Sequence, residues 1–150
     1  MNAADQAHSL ELTQAIAAVV ALFRARFPAA RANLRPWRDD PLTRAFHEPD
    51  SLDFSLDFPG WSPRLQCRTL LVQLQLDPVA GAGARPLLLG VLVRGLTTEG
   101  ERWRLATLGD WQPAGSHLPA EAVVDQLQQV CRQLFELFPG GRQAGGAAAA

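Results

Sequence analysis

The sequence predicts an α+β domain that runs from an N-terminal helix through a four-stranded antiparallel meander sheet (order 1-2-3-4) to a C-terminal helix. Apolar residues recur at helical spacing near both ends of the chain, which predicts the two helices. Between them, alternating or continuous apolar stretches are separated by turn sequences rich in proline and glycine, which predicts the strands.

The first helix is predicted between Ser9, which can cap its N-terminus, and Phe27, where Pro28 ends it. Its apolar stripe consists of Leu12, Ile16, Val19, Val20, Phe23 and Phe27. The last helix opens at Pro119 and ends at the Pro-Gly-Gly sequence of residues 139–141. Its apolar stripe consists of Val123, Leu127, Val130, Cys131, Leu134, Leu137 and Phe138. One-sided stripes of this kind are typical of helices that pack against a sheet.

The first two strands follow a proline-rich connector, residues 28–49, in which a short helical turn is predicted over 41–46. Residues 53–58 alternate strictly between apolar and polar side chains, which predicts the first strand. In the second strand, 64–77, the apolar residues occupy odd positions at first (Leu65 and Cys67) and even positions from Leu70 onward. Either a bulge lies near 69–71, or the strand buries opposite faces at its two ends.

The third strand is predicted over residues 87–96, which are apolar on both faces and therefore typical of a central strand. A turn at 98–101 leads into the fourth strand, 102–111. Register inferred from loop lengths would place Arg68, Gly95 and Arg104 in one row across the sheet.

That register divides one face of the sheet into an apolar half and a charged half. The apolar half consists of Leu70, Val72, Leu74, Leu76, Leu87, Leu89, Val91, Val93 and Leu108. If both helices cover the other face, this half is a surface for self-association or for a protein partner. Alternatively, the connector 28–49 folds over it and buries it.

The charged half consists of Ser55, Asp57, Gln66, Arg68, Arg102 and Arg104, with Asp53 and Arg64 beside it. The candidate site is its charged residues, Arg64, Arg68, Arg102, Arg104, Asp53 and Asp57. Arginine forks bind carboxylate or phosphate through paired hydrogen bonds, and the aspartates are expected to neutralise part of this charge. Asp53 and Asp57 are interpreted as the solvated face of an edge strand, since a hard cation needs several converging oxygens. No metal and no cofactor are therefore expected.

The composition excludes some classes of function. The chain has 150 residues and a net charge of −1, so its overall charge does not attract it to nucleic acid or to anionic lipid. All 14 basic residues are arginine, and lysine and tyrosine are absent, which excludes Schiff-base lysines and tyrosine acids. We expect residues 1–8 to be frayed, 9–139 to form a single α+β domain and 140–150 to be a low-complexity, disordered tail.

Cys67 and Cys131 match no metal spacing and are expected to be reduced, buried thiols in a cytoplasmic protein. The apolar segment 15–23 is too short to cross a bilayer and lacks a basic region before it, so no membrane association is expected. His8, His47 and His117 are interpreted as exposed or capping residues, with a His117–Asp110 pair as the alternative, and no serine lies in a nucleophile elbow.

The leading functional prediction is a non-catalytic interaction or assembly protein, chaperone-like or adaptor-like, that forms a homodimer or binds a protein partner. The alternative is a protein or enzyme that binds a small anionic ligand around Arg68, Arg104 and Asp57. Single-stranded nucleic-acid binding on the sheet is the third possibility, although Trp103 is predicted to face away from the arginines. The element order resembles that of several small bacterial α-β-β-β-β-α modules, but architecture alone implies no function.

Overall fold

The computed structural model describes residues 2–7, 9–36, 51–77 and 87–138. The predicted helical turn at 41–46, the hairpin loop at 78–85 and the tail at 140–150 lie outside the described residues.

The α+β class and the two terminal helices are confirmed. Helix α1 spans Leu10–Arg26 and begins at Ser9, whose Oγ accepts a hydrogen bond from the amide of Leu12 at 3.1 Å. Helix α2 spans Glu121–Leu137. Before α1, the segment expected to be frayed contains a 3-10 helix, Ala3–Gln6, in which Ala3 is completely buried.

Within the described residues, the sheet has six antiparallel strands rather than the four predicted, and they follow one another in chain order. The strands are β1 Arg31–Asn33, β2 Ser51–Ser62, β3 Cys67–Asp77, β4 Leu87–Thr97, β5 Gly100–Ala106 and β6 Ala114–Gly115. The two additional strands lie at the edges and are too short to show alternation. They exist because a neighbouring strand offers free backbone groups, which is a tertiary effect.

The predicted row of Arg68, Gly95 and Arg104 is wrong. Gly95 pairs with Leu70 on one side and with Trp103 on the other. The difference from Arg68 is two residues and arises in the β3–β4 pairing, whose register shifts between Gln75 and Leu76. The difference from Arg104 is one residue and arises at the β4–β5 hairpin, where Thr97 pairs with Gly100 and the register shifts between Gly95 and Leu96. Gly100 has a φ of +120°, a conformation that suits glycine in such a turn.

A register error of this kind exchanges the two faces, so the predicted two-sided apolar sheet is also wrong. One face, called here the helix-covered face, carries Leu52, Phe54, Leu56, Leu70, Val72, Leu74, Val91, Val93, Gly95, Trp103 and Leu105. All of its apolar side chains are buried in one cluster with residues of both helices. The Phe23 ring of α1, for example, meets Phe54 edge to face with centroids 5.7 Å apart.

The opposite face, called here the second face, is mostly polar. It carries Ser51, Asp53, Ser55, Asp57, Thr69, Leu71, Gln73, Gln75, Leu92, Arg94, Leu96, Arg104 and Ala106. Asp53 was expected to be solvated on an edge strand, but it is completely buried and β2 lies inside the sheet. Most of the apolar surface expected for a partner is therefore buried in the core with the helices, whereas Leu89 and Leu108 are exposed.

The bulge between β2 and β3 lies in β2 rather than near residues 69–71 of β3, and β3 begins only at Cys67, so Leu65 belongs to the preceding turn. Asp57 pairs with Thr69 and Ser62 pairs with Cys67, so residues 58–61 stand opposite Arg68 alone. Pro59 and Gly60 belong to this bulge, since proline is tolerated where a strand leaves the hydrogen-bonded ladder.

Among the described residues, no helix has the length and apolar character needed to cross a membrane.

Candidate functional site

A groove of about 350 Å³ opens where the end of α1, the bulge of β2 and the first turns of α2 meet. Its base consists of Phe27, Leu65 and Val123, which are buried, with the half-buried Phe58 beside them. Its edge consists of Arg26, Arg64, Gln126 and Trp61, and the Trp61 side chain is 46% exposed. We call this feature the Trp61 groove. It combines an apolar base with a cationic edge.

Local structure explains why these residues meet. Pro28 follows the end of α1 and cannot continue the helix, and the Phe27 ring there packs edge to face on Phe58 with centroids 6.3 Å apart. The β2 bulge then carries Trp61 outward, beyond the regular part of the sheet.

The turn between β2 and β3 is held at two points. The Leu65 carbonyl accepts a hydrogen bond from the indole nitrogen of the buried Trp103 at 2.7 Å. The Arg64 carbonyl accepts one from the amide of Ala120, at the start of α2, also at 2.7 Å. These bonds fix the turn to the core and to α2, so one wall of the Trp61 groove is preorganised.

Arg102 extends the cationic edge on the other side of the tryptophan. Its Cζ lies 5.0 Å from the centre of the Trp61 ring, which is within cation–π range. Its Nη2 donates to Oε1 of Gln66 at 3.3 Å. Its Nε is buried and has no acceptor among the described residues. This guanidinium therefore lies between a ring and an amide, with one donor unused.

The structure divides the six predicted site residues into two groups. Arg64, Arg68 and Arg102 lie around the β2–β3 turn, where Arg64 and Arg68 are exposed. Asp53, Asp57 and Arg104 lie on the second face. Asp57 accepts hydrogen bonds from Ser55 and Thr69, both at 3.2 Å, rather than from the arginines of the turn.

The second face carries a chain of polar contacts across four strands. Ser51 Oγ donates to Asp53 at 2.6 Å, and Asp53 is the register partner of Gln73. Gln73 Oε1 accepts from Arg94 Nε at 3.0 Å, and Arg94 Nη1 lies 2.6 Å from Glu101 Oε1. These groups are buried or nearly so, with the exception of Glu101, so their contacts compensate for desolvation. We interpret these polar contacts as stabilising the sheet rather than forming a binding site.

The remaining reactive groups do not assemble a catalytic centre in the described ranges. Burial raises the pKa of the Cys67 thiol to about 12 and that of the Cys131 thiol to about 12, so neither is a thiolate at neutral pH. The His117 ring approaches Ser116 Oγ at 3.0 Å, but that hydroxyl lies 3.4 Å from the Arg102 carbonyl, to which it donates. Within the same ranges, no three His, Cys, Asp or Glu side chains cluster as metal ligands would.

Sequence reasoning placed Gln66 in the charged half of the sheet but missed Trp61 and Arg94. Trp61 lies in the irregular β2–β3 region, which has no periodicity to interpret. Arg94 had a usable signal, since a single arginine inside an otherwise apolar strand indicates a buried charge that needs partners.

A family model described as a domain of unknown function matches residues 4–140, which is most of the chain. The chain therefore belongs to this family. No curated protein and no solved structure matches it.

Proposed function

We propose that this member of the family is a non-catalytic interaction module that binds an extended segment of a protein partner in the Trp61 groove. The observation that carries the proposal is the exposed Trp61 between an apolar base and three arginines, Arg26, Arg64 and Arg102. Tryptophan and arginine are the residues most enriched at energetic hot spots of protein interfaces.

The size and charge of the groove define its occupant. Its volume is at the lower end of the roughly 300–1,000 Å³ typical of ligand pockets, which suits one or two side chains rather than a folded surface. The surrounding arginines favour acidic residues beside the apolar anchor. The occupant is therefore a short segment with an aromatic or aliphatic side chain next to aspartate or glutamate.

The positions of α1 and α2 limit which surface of the protein can bind a partner. The apolar side chains of the helix-covered face are buried under α1 and α2, so that face does not offer the broad interface expected from the sequence. We therefore propose that the partner binds at the Trp61 groove rather than on the helix-covered face.

Selection from a library of short random peptides displayed on phage tests this function. We expect the recovered peptides to combine an apolar residue with neighbouring acidic residues. Their affinity should fall by roughly 30-fold in Trp61→Ala, the change expected for a hot spot worth ~2 kcal/mol. Fluorescence anisotropy of a labelled peptide measures the change.

Leu108→Ala is the matched control, because Leu108 is similarly exposed (52%) but belongs to the chain after β5. This variant should bind the peptides as the unmodified protein does. Failure to enrich any peptide, or equal binding by Trp61→Ala, would contradict the proposal. Tight binding of a single-stranded oligonucleotide that depends on Trp61 would favour nucleic-acid recognition instead.

A small anionic ligand is the second candidate, because Arg102 has an unused donor beside the same groove. Thermal denaturation in the presence of simple carboxylates and phosphate distinguishes it. A rise in melting temperature at low millimolar anion, without any peptide selected, would favour the small ligand.

Self-association, which was part of the leading prediction, is also proposed, and it is supported by two exposed leucines on either side of Gly90. Leu89 precedes Gly90 and is 48% exposed, and the Leu108 side chain lies over the Gly90 backbone. Sedimentation velocity should show a concentration-dependent dimer that Leu89→Ser and Leu108→Ser together convert to monomer. A monomer at every concentration would exclude this proposal.

A further inference from the structure

The Gln66 side chain occupies the edge of the Arg102 guanidinium. Gln66 ends the β2–β3 turn with a φ of +54°, which is unusual for a residue other than glycine. Its amide nitrogen donates to the Pro63 carbonyl at 2.8 Å, and its amide oxygen accepts from Arg102 Nη2 at 3.3 Å. One neutral amide therefore connects the turn to the arginine.

This contact leaves Arg102 poorly satisfied. A bond of 3.3 Å to a neutral oxygen is long for an arginine donor, and Nε has no acceptor at all among the described residues. A buried donor without an acceptor destabilises the state in which it occurs. A group that supplied acceptors to both nitrogens would remove this cost.

We propose that Gln66 holds the position of a carboxylate, and that an acidic side chain of the bound segment displaces the Gln66 amide from Arg102. The two oxygens of the carboxylate then accept from Nε and Nη2, which form one edge of the guanidinium. The Trp61 ring keeps its contact with the guanidinium and separates the carboxylate from the apolar anchor in the groove. The inference rests on the proposed function and specifies what the acidic residue does.

The geometry favours displacement of Gln66 over movement of Arg102. The Arg102 guanidinium lies over the Trp61 ring, and its Nε is buried. Gln66 lies in a turn, and its amide nitrogen bonds to the Pro63 carbonyl in an exposed position, so its side chain is the more easily displaced of the two. The acidic residue therefore meets an arginine that is already positioned.

Gln66→Glu tests the proposal without any partner, because it places a carboxylate on Arg102 within the chain. In a ¹H–¹⁵N spectrum, the Arg102 Nε–H resonance, assigned by its loss in Arg102→Gln, should move downfield and exchange more slowly with water. An unchanged resonance would overturn the inference and leave the proposed function intact.

Peptide binding supplies the second measurement. The probes are a selected acidic peptide and its analogue in which aspartate and glutamate are replaced by asparagine and glutamine. Gln66→Glu should weaken the acidic peptide by roughly 10-fold, since the introduced carboxylate already occupies Arg102, and should leave the analogue unaffected. Gln66→Ala should bind the acidic peptide at least as tightly as the unmodified chain.

Arg132→Gln is the matched control, because Arg132 stacks on Trp111 at 5.6 Å in the same manner, far from Gln66 in the chain. It should change neither peptide's affinity. Equal weakening of both peptides by Gln66→Glu, or unchanged acidic binding in Arg102→Gln, would overturn the inference. If no peptide is selected at all, the proposed function fails, whereas the spectrum still decides whether Gln66 holds a carboxylate position.

Discussion

Replacement of Gly95 by alanine is expected to lower the free energy of unfolding by about 3 kcal/mol or more. A Cβ at this position would overlap the indole ring of Trp103, which is completely buried. The ring cannot withdraw without loss of its hydrogen bond to the Leu65 carbonyl. Equilibrium denaturation in urea measures the change.

Gly60→Ala is the control for this prediction, because nothing lies within 4 Å of the added Cβ and the residue belongs to the β2 bulge. It should alter stability by less than about 0.5 kcal/mol. Trp103→Phe combined with Gly95→Ala should cost less than the sum of the single changes, since the smaller ring relieves the overlap. A Gly95→Ala protein as stable as the unmodified chain would show that the strand and the ring can separate.

Stability is expected to fall steeply above pH 9 because of the two buried thiols. Burial raises the pKa of Cys67 and of Cys131 from 9.0 to about 12. Between these values the unfolded chain loses its thiol protons while the folded chain keeps them, so rising pH favours unfolding. Each thiol contributes about 1.4 kcal/mol per pH unit, or about 2.7 kcal/mol per unit for both.

The composition allows the alkaline loss of stability to be assigned to the two thiols. The chain has no lysine and no tyrosine, which are the side chains that otherwise titrate near pH 10. Replacement of both cysteines by alanine lowers stability at neutral pH through lost packing, but it should flatten the alkaline slope. Urea denaturation at a series of pH values provides both quantities. A slope that persists in the double variant would show that the thiols are not responsible.

The helices were predictable from local signals. Ser9 and Pro28 delimit α1 in the sequence as they do in the structure, because capping and proline exclusion act within one helical turn. The antiparallel class and the chain order of the strands were likewise predictable, since short connections favour neighbours. The number of strands was not, because β1 and β6 depend on pairing rather than on pattern.

The candidate site was predictable only in part. Arg64 and Arg102 were assigned to one patch, and the structure places Arg64 at the edge of the Trp61 groove and Arg102 against the Trp61 ring. Asp53 and Arg104 were assigned to the same patch through a wrong register, and the structure places both on the second face. Trp61 could not be chosen, since its exposure results from the bulge over residues 58–61.

Local patterns and composition were sufficient to predict the α+β class, the two helices and the antiparallel order, and to leave arginine as the basic side chain of any site. The face of the sheet that the helices cover depended instead on the register, because a bulge of one residue reverses every side chain beyond it. Only the tertiary structure decided that Arg102 stacks on Trp61 beside Gln66, since that contact joins two strands and a turn that are distant in the chain. The pattern of apolar residues is set locally along the chain, whereas the register of each strand pair depends on the lengths of the loops and on the bulges between the strands.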